Sequence, residues 1–181
     1  MKNKYIIEGE TVRVILNRRK GDDMETIIDL EDLYKLLNFK YSWFAAYLPS
    51  PKDFYAHSTI YSGLVNDKPT YGVIGLQCFV LGLEGNDNCH VDHINHDSLD
   101  NRKENLRITT WENNLRHRGS INSNNTSGYR NISLINNKYV VQLQVEGKNK
   151  VLGRFENIED AVVCAEEMRN KYYGKFAGVS K

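Results

Sequence analysis

Cysteine is scarce in this chain: three residues, Cys78, Cys89 and Cys164, widely spaced and with no CxxC pair. An odd, scattered set argues against a disulfide framework and against a structural zinc site built from cysteine, and it points to a reducing compartment. Long apolar runs are missing too. No stretch approaches the roughly 18 apolar residues of a membrane span, and residues 1–10 contain no apolar run of the signal-peptide kind. A cytoplasmic protein without a membrane partner is therefore expected. Net charge is almost absent at +1, so the total says nothing about a polyanionic partner. Its distribution says more. Residues 1–88 carry ten Lys/Arg against twelve Asp/Glu, whereas residues 101–150 carry nine against three. A local positive excess of that kind suits nucleic acid.

Hydrophobic residues at 40% and charged residues at 26% put the 181-residue chain in the soluble, globular class. That length suffices for one domain or a few small ones. Four stretches differ in character. Residues 1–75 alternate short β-like runs, 5–7 and 11–16, with one helical pattern beginning near Asp29. That pattern puts Leu30, Leu33, Leu36 and Leu37 on one face. Residues 76–118 hold the chemistry described next. They are entered through an apolar segment, 71–83, expected to be helical. Residues 119–128, Gly-Ser-Ile-Asn-Ser-Asn-Asn-Thr-Ser-Gly, read as a linker. Residues 129–181 read as three strands and a helix. Tyr139, Val141, Leu143 and Val145 alternate with polar positions, Glu146–Asn149 turns the chain, and a helix runs from Ile158 to Tyr173 between Asn157 and Gly174.

The densest chemistry lies between Cys89 and Leu115. An adjacent carboxylate and imidazole, Asp92 and His93, are followed by a loop. A short apolar strand, Leu106–Thr109, comes next, and then a helix opening near Thr110 with Asn113 and Asn114 in its first turn. Phosphodiester hydrolysis needs a hard cation, a base near neutrality and a partner that orients the base. Oxygen ligands such as Asp92 and the Asn114 amide suit Mg²⁺ or Mn²⁺. His93 has the side chain whose ordinary pKa lies nearest neutrality. The Asn105 carbonyl is the expected acceptor for the His93 Nδ1 proton, which would leave Nε2 toward water.

Taken as an ordered set, Asp92-His93, then Asn105-Leu106-Arg107, then Asn114 resembles the ββα-metal motif of the HNH endonucleases, and specifically those of the homing endonucleases of phage and mobile elements. Asn105 stands twelve residues after His93, and Asn114 nine residues after Asn105, spacings that the family shares. The resemblance implies His93 as general base, Asp92 and Asn114 as metal ligands, and Asn105 as the residue that orients the base. Asn113 is a neighbouring rival for the closing position. Arg102, Lys103 and Arg107 are candidates for holding phosphate.

The last fifty-odd residues resemble the AP2/ERF-type DNA-binding domain. The matching pieces are Ser127-Gly128-Tyr129-Arg130-Asn131-Ile132, Lys138 through Gln144, Leu152-Gly153-Arg154-Phe155, Glu159-Asp160-Ala161, and Tyr173-Gly174-Lys175-Phe176-Ala177. The resemblance implies a three-stranded sheet that enters the major groove with the helix packed behind it. Gln142 and Gln144 then face adenine edges, and Arg130 takes a guanine or a phosphate. Ser133 and Asn149 are exposed candidates, and Lys148 and Lys150 hold the DNA backbone.

The expectation is thus an α+β chain with a central ββα-metal nuclease and a small C-terminal module that binds double-stranded DNA. It would use one divalent cation, Mg²⁺ first and Mn²⁺ second, and leave 5′-phosphate and 3′-hydroxyl ends. One site per chain implies a nick by a monomer, and a double-strand break would need two chains or two rounds of binding. Two competing readings are a DNA-binding regulator with a degenerate nuclease site, and a zinc module built from Cys89, His90, His93 and His96.

Overall fold

Strict alternation in Thr11–Leu16 puts Val12, Val14 and Leu16 at zero exposure while Thr11, Arg13 and Ile15 lean outward. This is the pattern of a strand with one face in a core. In the computed structural model, which describes residues 1–49, 52–83, 90–117, 121, 122 and 124–179, that strand (β2) is the centre of a sheet. Its antiparallel neighbours are β1 (Tyr5–Glu8) and β3 (Met24–Asp29). A 3-10 turn, Leu30–Asp32, and helix α1 (Leu33–Leu37) follow. Leu33 and Leu36 are buried, but Leu37 is 44% exposed, so the expected four-leucine face is shorter than its pattern suggested. The reason is that the helical segment has only five residues.

A second antiparallel sheet joins β4 (Phe44–Leu48), β5 (Asp53–Val65) and β6 (Lys68–Gly75), in that order. Asn66 and Asp67 both have positive φ, 51° and 58°, which makes the two-residue turn between β5 and β6 match the twist of its strands. Here one expectation needs correction. Residues 71–83 are not one helix: β6 runs to Gly75, and helix α2 covers only Leu76–Val80. Thr70, Tyr71, Val73 and Ile74 favour a pleated strand, and pairing with β5 decides the matter.

Strands β7 (His90–His93) and β8 (Leu106–Thr109) form an antiparallel pair. Two four-residue strands cannot bury enough apolar surface to stand alone. They share one core with what precedes them: Val12, Ile28, Leu36, Trp43, Leu76, Phe79 and Leu106 belong to a single cluster, with Val91 and Leu99 packed on it. Residues 1–75 are therefore the scaffold of the segment that follows them. The expected boundary at 75/76 is replaced by a division of the chain into Met1–Thr109 and Thr110–Lys181.

The second unit opens with helix α3 (Trp111–His117), where Thr110 Oγ1 accepts the Asn113 N–H at 3.3 Å. The sheet that follows has the order β11-β10-β9. It consists of β9 (Ile132–Ile135), β10 (Lys138–Val145) and β11 (Lys148–Phe155), covered by helix α4 (Ile158–Tyr173) and a 3-10 turn, Gly174–Phe176. Its core is Ile132, Val141, Leu143, Val145, Ala161 and Ala165. Glu146 and Gly147, at φ 53° and 75°, make a two-residue turn rather than the expected four-residue one. The described part of the expected linker is not a free tether. Asn125 Nδ2 donates to Tyr129 O at 2.8 Å, and Ser127 Oγ donates to Ile132 O at 2.8 Å, so its short polar side chains close a turn before β9. Residues 119, 120 and 123 of that segment lie outside the described residues.

The fold is thus a mixture of α and β, built from small antiparallel sheets and few helices. Among the described residues no helix is long and apolar enough to cross a membrane. Trp43, fully buried between Phe39 and Phe79 at centroid distances of 5.0 and 5.3 Å, is the largest side chain of the first core. Trp43→Ala is expected to cost about 3–5 kcal/mol in urea unfolding followed by circular dichroism. A loss below about 1 kcal/mol would mean that the core refills the space.

Candidate functional site

The loop between β7 and β8 is made by its own short polar side chains. Asn95 Oδ1 accepts the Asp97 N–H at 2.8 Å, Asp97 Oδ1 accepts the Leu99 N–H at 3.0 Å, and Asn95 Nδ2 donates to Asp100 Oδ2 at 3.0 Å. The loop is then stitched to β3. Ile27 N–H donates to Leu99 O at 2.9 Å, Asn101 N–H donates to Ile27 O at 2.8 Å, and Lys103 N–H donates to Asp29 Oδ2 at 2.8 Å. This attachment places the residues around His93.

Asp92 and His93 are both 6% exposed. The imidazole meets a residue that the sequence did not single out: His93 Nε2 lies 3.3 Å from Asn101 Oδ1. The proton positions follow from the chain of partners. Thr26 Oγ1 donates to Leu99 O at 2.7 Å, so toward Asn101 that hydroxyl can only accept, and Asn101 Nδ2 lies 2.8 Å from it. The amide is thereby oriented with its oxygen toward His93. A neutral imidazole facing an acceptor carries its proton on Nε2 and keeps its lone pair on Nδ1. This reverses the expected tautomer. Asn105 does not bond the imidazole. Its backbone carbonyl accepts the Ile94 N–H at 2.9 Å, its Oδ1 accepts the Asn95 N–H at 2.9 Å, and its Nδ2 donates to Asp100 O at 2.8 Å. It holds the loop that carries Asn101.

Burial holds the His93 pKa below its ordinary 6.5, outweighing the opposing pull of Asn101, Asp92, Asp97 and Asp100. Tyr55 of β5 meets the ring edge-on at 6.0 Å. Its own phenol is pushed up by burial first, then by Asp53 and Asp92. Neither Tyr55 nor Thr26 carries a local signal, because each lies on a strand far from the motif in sequence.

Strand register sets Asp92 directly opposite Arg107. Arg107 Nε donates to Asp92 Oδ2 at 2.7 Å, and its terminal nitrogen lies 2.6 Å from the same oxygen. The other two phosphate candidates are also engaged within the chain. Arg102 pairs with Asp100 at 2.7 Å and with Glu104 at 2.6 Å. Lys103 pairs with Glu31 at 2.5 Å and Asp32 at 2.9 Å. Among the described residues, one group of three metal-competent side chains lies within 4.8 Å: Asp29, Glu31 and Asp32. Lys103 already supplies that group with its cation. The histidines at 90, 93 and 96 form no such group among the described residues, and Cys89, the fourth member of the zinc alternative, lies outside them.

Asn113 and Asn114 are half-buried on α3, in the second unit. Asn113 Oδ1 accepts from Arg116 Nη1 at 2.9 Å, and Asn114 N–H donates to Thr110 O at 3.0 Å. In the C-terminal sheet, Gln144 pairs across strands with Asn149, and Gln142 with Val151. Ser133, Gln144, Lys148, Asn149 and Lys150 are exposed, and Gln142 is half-buried. The two-residue period puts Asn149 on the face of Gln144. Lys148 and Lys150, opposite Val145 and Leu143, alternate to the helix side of the edge strand, where Lys150 reaches Glu146 at 3.5 Å. Arg130 departs from expectation. It is 6% exposed and donates to Arg116 O at 2.8 Å and Val179 O at 3.1 Å, so it holds chain segments together rather than facing a base.

No protein-family profile, characterised protein or solved structure matches the chain.

Asp100 anchors the loop, and the adjacent Arg102 guanidinium holds its pKa below the ordinary 3.8. A depressed carboxylate stabilises the fold above the unfolded value, and that contribution disappears as pH falls through the folded value. Wild type should therefore exceed Asp100→Asn in urea stability at about pH 7, with the gap narrowing as pH falls below the ordinary 3.8. A gap independent of pH would mean that the pair adds no charge-dependent stability.

Proposed function

We propose that this chain is a metal-dependent DNA endonuclease of the HNH type, with a C-terminal AP2/ERF-like module that binds double-stranded DNA. The observation that carries the reading is the Asp92–His93 pair on β7, with its imidazole buried, held below its ordinary pKa and fixed in one tautomer by Asn101. Asn105 and Asn114 complete the ordered set at the spacings already given.

In the proposed reaction, His93 is uncharged at neutral pH and takes a proton from water at Nδ1. Asn101, held by Thr26, keeps the Nε2–H pointed away from that water. Asn105 holds the loop, and so the Asn101 amide, in register. A carboxylate and an amide oxygen are the donors that a hard divalent cation prefers, and Asp92 and Asn114 are the ligands that the HNH resemblance implies for Mg²⁺ or Mn²⁺. When bound, the cation supplies charge neutralisation at the scissile phosphate and its departing oxygen. The products are 5′-phosphate and 3′-hydroxyl ends. Gln142, Gln144, Asn149 and Ser133 contact base edges in this reading, whereas Lys148 and Lys150 alternate to the helix side of the edge strand and leave the contact set. Arg130 is no longer in that set.

The Asp92–Arg107 bridge also favours a second reading, a DNA-binding protein that does not cleave, because an arginine already occupies the carboxylate that the metal would need. Plasmid nicking in Mg²⁺ and in EDTA separates the two. The nuclease nicks only with Mg²⁺, while the regulator binds equally in both and nicks in neither. His93→Ala should lower the nicking rate about 10²–10⁴-fold and leave DNA affinity measured in EDTA unchanged. A parallel loss of affinity would assign His93 a structural part instead.

A further inference from the structure

An imidazole that acts as a base must be held in one plane as well as in one tautomer, because its lone pair lies in the plane of the ring and has to be aligned with the proton it takes. The bond to Asn101 cannot do this alone. At 3.3 Å it is longer than the roughly 2.7–3.2 Å usual for N–H···O. Nε2 also lies close to the line through Cβ and Cγ about which the ring turns, so a bond there resists turning only weakly. A contact with the ring itself is needed.

Strand β5 supplies that contact. Ala56 and Ser58 have zero exposure, so the two-residue period puts Asp53, Tyr55 and His57 together on the other face of the strand. The Tyr55 ring meets His93 at 6.0 Å with the planes at 67°, the edge-to-face geometry that aromatic pairs favour. The same ring meets His57, two residues along the strand, at 6.2 Å and 37°. Tyr55 is also held from the backbone, where it pairs with Ala46 of β4. The loop that carries Asn101 is fastened to β5 just before Tyr55: Ser98 Oγ lies 2.8 Å from Asp53 Oδ2 and 2.5 Å from Phe54 O. One loop thus brings both restraints to the imidazole, Asn101 directly and Tyr55 through the strand on which the loop is docked.

We propose that Tyr55 is a positioning residue for His93, whose ring blocks rotation of the imidazole and keeps Nδ1 aimed at the water that it deprotonates. The catalytic consequence rests on the nuclease reading, whereas the restraint on the ring does not. The contact is one between rings, so phenylalanine should serve in place of tyrosine and a smaller aliphatic side chain should not.

The test uses full-length protein with ¹⁵N in its histidines, held in EDTA, and identifies the His93 ring signals by their loss in His93→Gln. Wild type and Tyr55→Phe should each show one protonated and one lone-pair nitrogen for His93. Tyr55→Leu should draw the two signals together, as the released ring leaves Asn101 and exchanges between tautomers. Should the leucine variant fail to fold, Tyr55→Thr takes its place, since a β-branched residue suits a strand. In Mg²⁺, Tyr55→Leu should lower kcat for plasmid nicking about 10²-fold with KM nearly unchanged, as a misplaced reacting group does, while Tyr55→Phe retains wild-type kcat. A folded leucine variant that keeps two separate nitrogen signals would overturn the restraint, and one that keeps wild-type kcat would overturn its catalytic consequence. A phenylalanine variant as slow as the leucine one would assign the role to the hydroxyl and overturn the proposal. Wild type that does not nick in Mg²⁺ would defeat the nuclease reading instead, and the nitrogen signals would still decide whether Tyr55 restrains the ring.

Discussion

The arrangement around His93 depends on one relay: Thr26 on β3, the Asn101 amide, and the imidazole. Each bond leaves the next atom only one role, because the threonine hydroxyl has a single proton and gives it to Leu99. An asparagine amide is nearly symmetric in shape, so nothing in its outline would orient it. Here the acceptor state of Thr26 does so, and the amide in turn sets which imidazole nitrogen holds the proton. The stitching of Leu99 and Asn101 to Ile27 keeps the three groups at this spacing.

This explains why the first two sheets share one core with the strands that flank the His93 loop. A loop of Asn, Asp and Ser can close its own turns, but it cannot hold a buried imidazole steady. The sheet of β1, β2 and β3 supplies a rigid edge, and Trp43, Phe79 and Leu76 lock that sheet to the second one. Charge pairs with long sequence separation reinforce the join. Lys103 reaches back to Glu31 and Asp32, which turns an acidic group that resembles a cation site into an internal clamp.

The C-terminal unit solves a similar problem differently. Its sheet has one face under α4, and the bulge between Val141 and Gln142 changes the register partway along β10. Gln144 and Asn149 remain paired on the outward side, while the edge lysines fall on the other. Buried arginines do the joining: Arg130 grips two carbonyls, and Arg169 donates to the Arg130 carbonyl at 3.5 Å. Arginine suits this task because its planar fork can satisfy several acceptors at once.

Local pattern was enough to locate β1, β2, β8, β10 and α4, because alternation with a period of two, or a capped helical stretch, is written in neighbouring residues. The Asp92-His93 pair and its spacing to Asn105 and Asn114 were legible for the same reason. The strand β6 was not, since an apolar run of that length suits helix and strand alike until a partner strand pairs with it. Only the tertiary structure could show that Asn101 rather than Asn105 touches the imidazole, that Arg107 lies on Asp92, and that Arg130 is buried. All three depend on which side chains the folded chain brings within 3.5 Å, and hydrogen bonds between distant segments leave no periodicity in the sequence.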